Sequence, residues 1–152
     1  MVDDKAAQLQ SEIVRLARAL NREPVQVGVI RKDDDVNIFI DAEGKYHYSY
    51  WERGREHFDR VGDMDDVLYW FAQGITADIG SGYSARHSDE NQNYRRVMWA
   101  RQYEVLSQLN PQWAKRCVRE LADKLRGWGF DKDVELLPDI PERNITHPPD
   151  PR

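Results

Sequence analysis

Histidines, a cysteine and clustered acids are the side chains from which a chain of this size would build an active site, and here they are scattered. His47, His57, His87 and His147 fall in different segments, with no CxxC, HxxxH or HExxH spacing. Metal sites use such spacings because one turn of a single element then presents two ligands to one ion, so no metal is expected. His147 lies among prolines and reads as a solvated residue. Cys117 falls on an apolar helical stripe, where a packed thiol is the expectation rather than a nucleophile. No Ser sits in a GxSxG elbow. Gly80-Ser81-Gly82-Tyr83 lacks the GxxxxGK[ST] pattern and follows a helical rather than a strand-like segment, so it reads as a helix break and not as a phosphate cradle. No constellation for catalysis emerges; the chain reads as a binding protein, not an enzyme, with no cofactor.

Three groups of residues point to recognition instead. Asp33-Asp34-Asp35 forms a charged turn, which reads equally as a solvated tip or as a docking point for a basic partner. Neither this run nor Asp63-Asp65-Asp66 has the twelve-residue ligand spread of a calcium loop, and the second run reads as a helix start. In Tyr46-His47-Tyr48-Ser49-Tyr50-Trp51, alternation puts the tyrosines on one strand face and Trp51 on the other. One face must be core, which leaves the other as exposed aromatic surface of the kind found at interface hot spots. On these grounds Asp33, Asp34, Asp35, Tyr48, Trp51, Glu52 and Arg53 are the expected partner-contacting residues.

The third group is YSARHSDENQNYRRVMWARQ, residues 83–102, where Arg86, His87, Arg95, Arg96, Arg101 and Gln102 surround Tyr83, Tyr94 and Trp99. Arginine with aromatics binds nucleotides, nucleic acid or acidic surfaces. It also makes half-buried polar networks, since a polar group near an apolar stripe needs a partner. Here Arg86, His87, Arg95, Arg96 and Gln102 are expected to form such a network joining two helices, with a ligand or regulatory site as the alternative.

The elements that must position these groups follow from periodicity. Leu9, Ile13, Leu16 and Leu20 recur at helical spacing and predict a helix ending before Pro24. Three clusters of period two follow, Val25/Val27/Val29, Val36/Ile38/Ile40 and Tyr46/Tyr48/Tyr50, with a weaker fourth carrying Glu56, Phe58 and Arg60. The connections are too short for parallel crossovers, and Asp41-Ala42-Glu43-Gly44 has the composition of a hairpin turn. Beyond Gly62 the period becomes helical. A helix capped by Asp63 is expected to stop at Gly80-Ser81-Gly82, a second to run from about Asn91 to Leu109, and a third to start at Asn110-Pro111. The predicted fold is α+β: an N-terminal helix, a three- to four-stranded antiparallel meander, then three helices packed on the sheet. Residues 1–136 are expected to be one domain and the proline-rich 137–152 an extended or disordered tail.

Composition bounds the function. The net charge of -5 is uneven: residues 1–90 carry 11 basic and 18 acidic side chains, residues 91–152 carry 11 and 9. That balance disfavours a general nucleic-acid binder, which needs a basic face to displace counterions. One cysteine forms no internal disulfide, and no run approaches the ~20 apolar residues of a membrane span. The start, MVDDKAAQLQ, is polar and acidic, unlike a signal peptide, so a cytoplasmic location is expected.

Over residues 36–130 the chain resembles a bacterial immunity-protein family of polymorphic toxin systems, immunity protein sixty-three. The resemblance is carried by IFIDAEGKYHYSYWERGRE, DMDDVLYWFAQGIT and YSARHSDENQNYRRVMWARQYEVLSQLNPQW. The matching positions are Tyr48, Glu52, Arg53, Gly54, Leu68, Tyr69, Trp70, Arg86, Arg95, Arg96, Gln102, Leu106 and Trp113. Asn93 and Trp99 depart from it, standing where the family more often has Asp and Phe. The resemblance implies an antitoxin: a protein that binds a cognate toxin, the product of an adjacent gene, and blocks its active site.

Overall fold

The computed structural model describes residues 3–87, 89 and 92–146; His147 and the rest of the tail lie outside them. The element order is α1 (Asp3–Ala19), β1 (Asp35–Ile40), β2 (Tyr46–Glu52), β3 (Arg55–Gly62), α2 (Met64–His87), α3 (Tyr94–Leu109) and α4 (Pro111–Gly127), followed by 3-10 helices at Asp131–Leu136 and Pro141–Asn144. The fold is α+β, as the periodicities predict. The chain divides into two compact units, Met1–Ala72 and Gln73–Arg152, with α2 beginning in one and ending in the other.

In the first unit, α1 buries its predicted stripe: Leu9, Ile13 and Leu16 are fully inaccessible. Each such side chain contributes roughly 1.5–3 kcal/mol relative to exposure. The sheet is a three-stranded antiparallel meander in the order β1-β2-β3. The weak fourth cluster is a true strand, β3, whereas Val25–Val29 is not one. Hydrogen bonding gives the reason. The Gln10 side chain of α1 donates to the Val25 carbonyl (3.0 Å) and accepts from the Val27 N–H (2.7 Å), replacing ladder partners. Gly28, at φ +88°, then turns the chain and donates to the Ile38 carbonyl. A side-chain amide has satisfied backbone groups that a strand would have paired.

The register puts Val36, Ile38 and Ile40, Tyr46, Tyr48 and Tyr50, and Phe58 and Arg60 on one sheet face. The start of α2 meets this face through Trp70, which packs against Tyr48 (6.3 Å between ring centres) and under the Arg60 guanidinium. Two turns set the register. At Asp41–Gly44 the Asp41 carboxylate accepts from the Glu43 and Lys45 N–H groups. Between β2 and β3, Arg53 and Gly54 both take positive φ (52° and 77°), the pattern of a type I′ hairpin whose twist suits the strands. A bulge beside Tyr50/Trp51 leaves His57 as the extra residue of β3.

Helix α2 opens with a reciprocal box: Asp63 Oδ1 accepts from the Asp66 N–H (2.8 Å) and Asp66 Oδ2 from the Asp63 N–H (3.0 Å). It does not break at Gly80-Ser81-Gly82 but runs on to His87. Glycine is there because a Cβ on residue 80 would sit 2.5 Å from the Met98 carbonyl of α3. The cost of glycine in a helix, about 1 kcal/mol, is offset by the close crossing it permits. Asn93 caps α3 by accepting from the Arg95 and Arg96 N–H groups, and Asn110 caps α4 with Pro111 in its first turn, as predicted. Asn93 is thus engaged as a helix cap rather than paired with an arginine.

The second unit's core gathers Trp99, Val118, Ala122, Leu125, Val134 and Leu137. The segment beyond Leu136 departs from the extended tail expected of its prolines. Leu137 is 1% exposed, and Arg126 holds the returning chain by donating to the Arg143 carbonyl. Cys117 is buried, as its place on the α4 stripe predicted.

Candidate functional site

The β-meander brings two of its turns to one end. Asp35 pairs with Trp51 across β1 and β2, so the Asp33–Asp35 turn lies beside the Glu52–Arg55 hairpin. The Gly54 N–H donates to the Lys32 carbonyl (2.9 Å) and ties the turns together. Asp34, in the left-handed region at φ 52°, shapes the tip, and Asp33, Asp34 and Arg53 are exposed. Trp51 is half-buried, with the Lys32 ammonium 5.4 Å from its ring centre. Such a cation over an indole face is worth about 0.5–1 kcal/mol at an exposed site.

Six of the seven expected contact residues, Asp33, Asp34, Asp35, Trp51, Glu52 and Arg53, therefore share this end. Tyr48 does not. It is 7% exposed, on the face covered by Trp70, and burial pushes its phenol pKa up despite the nearby Arg60. The strand alternation was right, but the tyrosine face is covered, and the opposite face is covered at its centre too, where Asn37 and Ser49 are fully buried.

Residues outside the expected contact set complete the end. His57 pairs with Glu52 at 2.9 Å and meets the Tyr50 ring edge-on. The Tyr50 phenol pKa is raised, by desolvation first and then by Glu52, Asp34 and Asp35. These three carboxylates thus act on one phenol, a convergence the hairpin register alone implies once β3 is recognised. His57 was legible only through the two-residue Arg53-Gly54 turn that brings β3 back along β2.

Among the described residues, the bonds of Arg86, His87, Arg95, Arg96 and Gln102 do not join into the single network expected of them. Gln102 alone is buried, donating to the Gln73 carbonyl (3.2 Å) and to Thr76 Oγ1 (3.4 Å). Arg95 reaches away to Asp133 at 3.0 Å. His87 stacks on Tyr83, four residues back, with ring centres 4.1 Å apart. Arg86 and Arg96 are exposed. Long guanidinium side chains reach water at little cost, so the helix junction is tied by shorter groups: Ser84 Oγ donates to the Tyr94 carbonyl and Ser81 bonds the Tyr94 hydroxyl.

Among the described residues no three His, Cys, Asp or Glu side chains converge as metal ligands would, and no helix is long and apolar enough to cross a membrane. The groups of the charged end offer hydrogen bonds, charge and an indole edge. Together these features describe a small α+β scaffold presenting charged hairpin ends. The family model for immunity protein 63 matches residues 42–123, more than half of the chain, and the protein belongs to that family. No curated protein and no solved structure matches it.

Proposed function

We propose that this chain neutralises a cognate toxin, the product of an adjacent gene, by binding it in the cytoplasm and covering its active site without performing chemistry. The contact surface in this reading is the end formed by Asp33, Asp34, Asp35, Trp51, Glu52 and Arg53. The observation that carries it is the joining of the two turns: an exposed acidic tip stands beside a partly exposed tryptophan and a strained Arg53-Gly54 hairpin, all held by the sheet register. The first unit holds ten basic and fifteen acidic residues, whereas the second is balanced at twelve of each, so the net charge resides with the unit that carries this end. A basic toxin surface would be steered towards it. The acidic tip lies outside the residues the family model matches, whereas Trp51, Glu52 and Arg53 lie within them.

A standard interface buries ~1,600 Å² in total and is anchored by a few residues, with Trp and Arg prominent among them. The test is co-expression with the adjacent gene product, followed by co-purification. The wild-type chain should restore growth and retain the toxin. Trp51→Ala combined with Asp33→Asn and Asp34→Asn should fold normally yet weaken toxin binding by roughly 2 kcal/mol or more. Protection unchanged by those substitutions would move the contact elsewhere; failure of the wild-type chain to protect would end the toxin reading.

A further inference from the structure

Of the α2–α3 junction arginines, Arg95 and Arg101 are held in ion pairs while Arg96 is not, and this leaves a feature that toxin blocking at the acidic end does not use. A groove of about 340 Å³ runs between the last turns of α2 and the first half of α3, within the second unit. Its wall is a stack. Tyr83 carries the His87 ring against it, 4.1 Å between centres at 14°, and the Arg101 guanidinium lies 4.9 Å from the Tyr83 ring centre. His87 Nδ1 donates to the Tyr83 carbonyl (3.0 Å), which holds the imidazole in place. Val97 and Ala100 supply apolar lining, Gln92 an amide, and Glu104 a carboxylate whose charge is met by Arg101.

The cations differ in what they have left to give. Arg101 spends its charge on Glu104 at 2.9 Å, and Arg95 on Asp133 at 3.0 Å. Arg96 lines the groove, is exposed, and has no hydrogen-bond or ion-pair partner for its guanidinium among the described residues. A planar fork of this kind matches two oxygens of a phosphate or carboxylate at once. Aromatic and apolar walls beside a single open guanidinium suit a ligand with a flat ring at one end and a compact anion at the other. The volume falls at the lower end of the ~300–1,000 Å³ range of small-molecule sites.

We propose that this groove binds a phosphorylated ring compound of mononucleotide size, with Arg96 on the phosphate and the ring against Val97, Ala100 and the Tyr83–His87 stack. The groove belongs to the second unit and the acidic end to the first, and the proposal does not depend on the toxin reading.

The test titrates the ¹⁵N-labelled full chain with adenosine monophosphate, adenosine and inorganic phosphate, following backbone amides by NMR. The monophosphate should shift the signals of His87, Arg96, Val97 and Ala100 with a Kd below about 1 mM, and each fragment alone should bind roughly tenfold more weakly or worse. Arg96→Glu should remove the phosphate's share and Ala100→Trp should fill the groove, each weakening binding by at least roughly tenfold. Both positions are exposed, so thermal melting should stay near wild type. Arg96→Gln provides a milder second variant should the charge reversal disturb α3. Lys124→Glu, an exposed cation on α4, should change nothing. No localised shifts at about 10 mM monophosphate would overturn the proposal. Equal shifts from inorganic phosphate would also overturn it, as would tighter binding at the same amides by an acidic peptide.

Discussion

His47 stands between two carboxylates, and both of its ring nitrogens are engaged. Nε2 lies 2.7 Å from Asp41 Oδ2, and Nδ1 lies 3.0 Å from both oxygens of Asp59. Phe39 stacks on the ring at 4.4 Å. Only the imidazolium carries an N–H on each nitrogen, so the neutral ring would turn one lone pair towards a carboxylate. Desolvation by itself pushes the His47 pKa down, but the bonds to Asp41 and Asp59 outweigh it and the net direction is upward from 6.5. Asp41 moves the other way, below 3.8, chiefly through its bond to His47. The His47 contribution to stability is therefore complete below its unfolded value of about 6.5 and is lost as pH rises through its higher folded value. The Asp41 contribution is present above 3.8 and is lost as pH falls through its lower folded value. The cluster stabilises most in the weakly acidic window between the two.

Replacing His47 by Gln removes the charge and at least one of the two bonds. Charge-assisted bonds of this kind are worth about 1.5–3 kcal/mol when shielded. The Asp41 and Asp59 side chains are 29% and 28% exposed, so water screens them. The net loss should be about 1–2 kcal/mol at weakly acidic pH. For a chain of this length that lowers Tm by roughly 3–6 °C. Melting both proteins by differential scanning fluorimetry from about pH 5 to about pH 9 should show the wild-type advantage shrinking as His47 loses its proton. An advantage that stays constant across that range would refute the doubly bonded imidazolium.

Gly80→Ala should destabilise by about 1–3 kcal/mol despite alanine's better helix propensity, because its Cβ would press on the Met98 carbonyl; urea unfolding would measure it. Asn110→Ala removes the side chain that accepts from the Gln112 and Trp113 N–H groups, and should cost about 1 kcal/mol in the same assay. Gln102→Leu removes the amide that donates to the Gln73 carbonyl and to Thr76 Oγ1, which keep their own mutual bond, and should cost about 1 kcal/mol, read again from the unfolding midpoint. Neutralising Asp33 and Asp34 together should slow toxin association and flatten its salt dependence, while dissociation stays nearly unchanged by surface plasmon resonance.

The sequence by itself determined the elements whose signals are local and the identity of the family. The Leu9/Ile13/Leu16 stripe, the Asp63 and Asn110 caps and the alternation of β1 and β2 needed only neighbouring residues to be read. The absence of catalytic spacing and the resemblance later matched over residues 42–123 were equally legible. Tertiary structure decided whatever depended on residues far apart in the chain. Val25–Val29 has strand periodicity, but Gln10 reaches its backbone from α1, and a remote amide outcompetes a local preference. Gly80 carries a break signal, but a crossing helix turns its missing Cβ into an advantage. The arginines of residues 86–96 promised a network, yet Thr76, Ser81 and Ser84, weak as sequence signals, join the helices. The expected contact residues were visible as charges and aromatics, but only the sheet register placed Asp33–Asp35 beside Trp51 and Glu52 and put Tyr48 under Trp70. Which side of a strand is covered is settled by what packs on it, and alternation alone carries no such information.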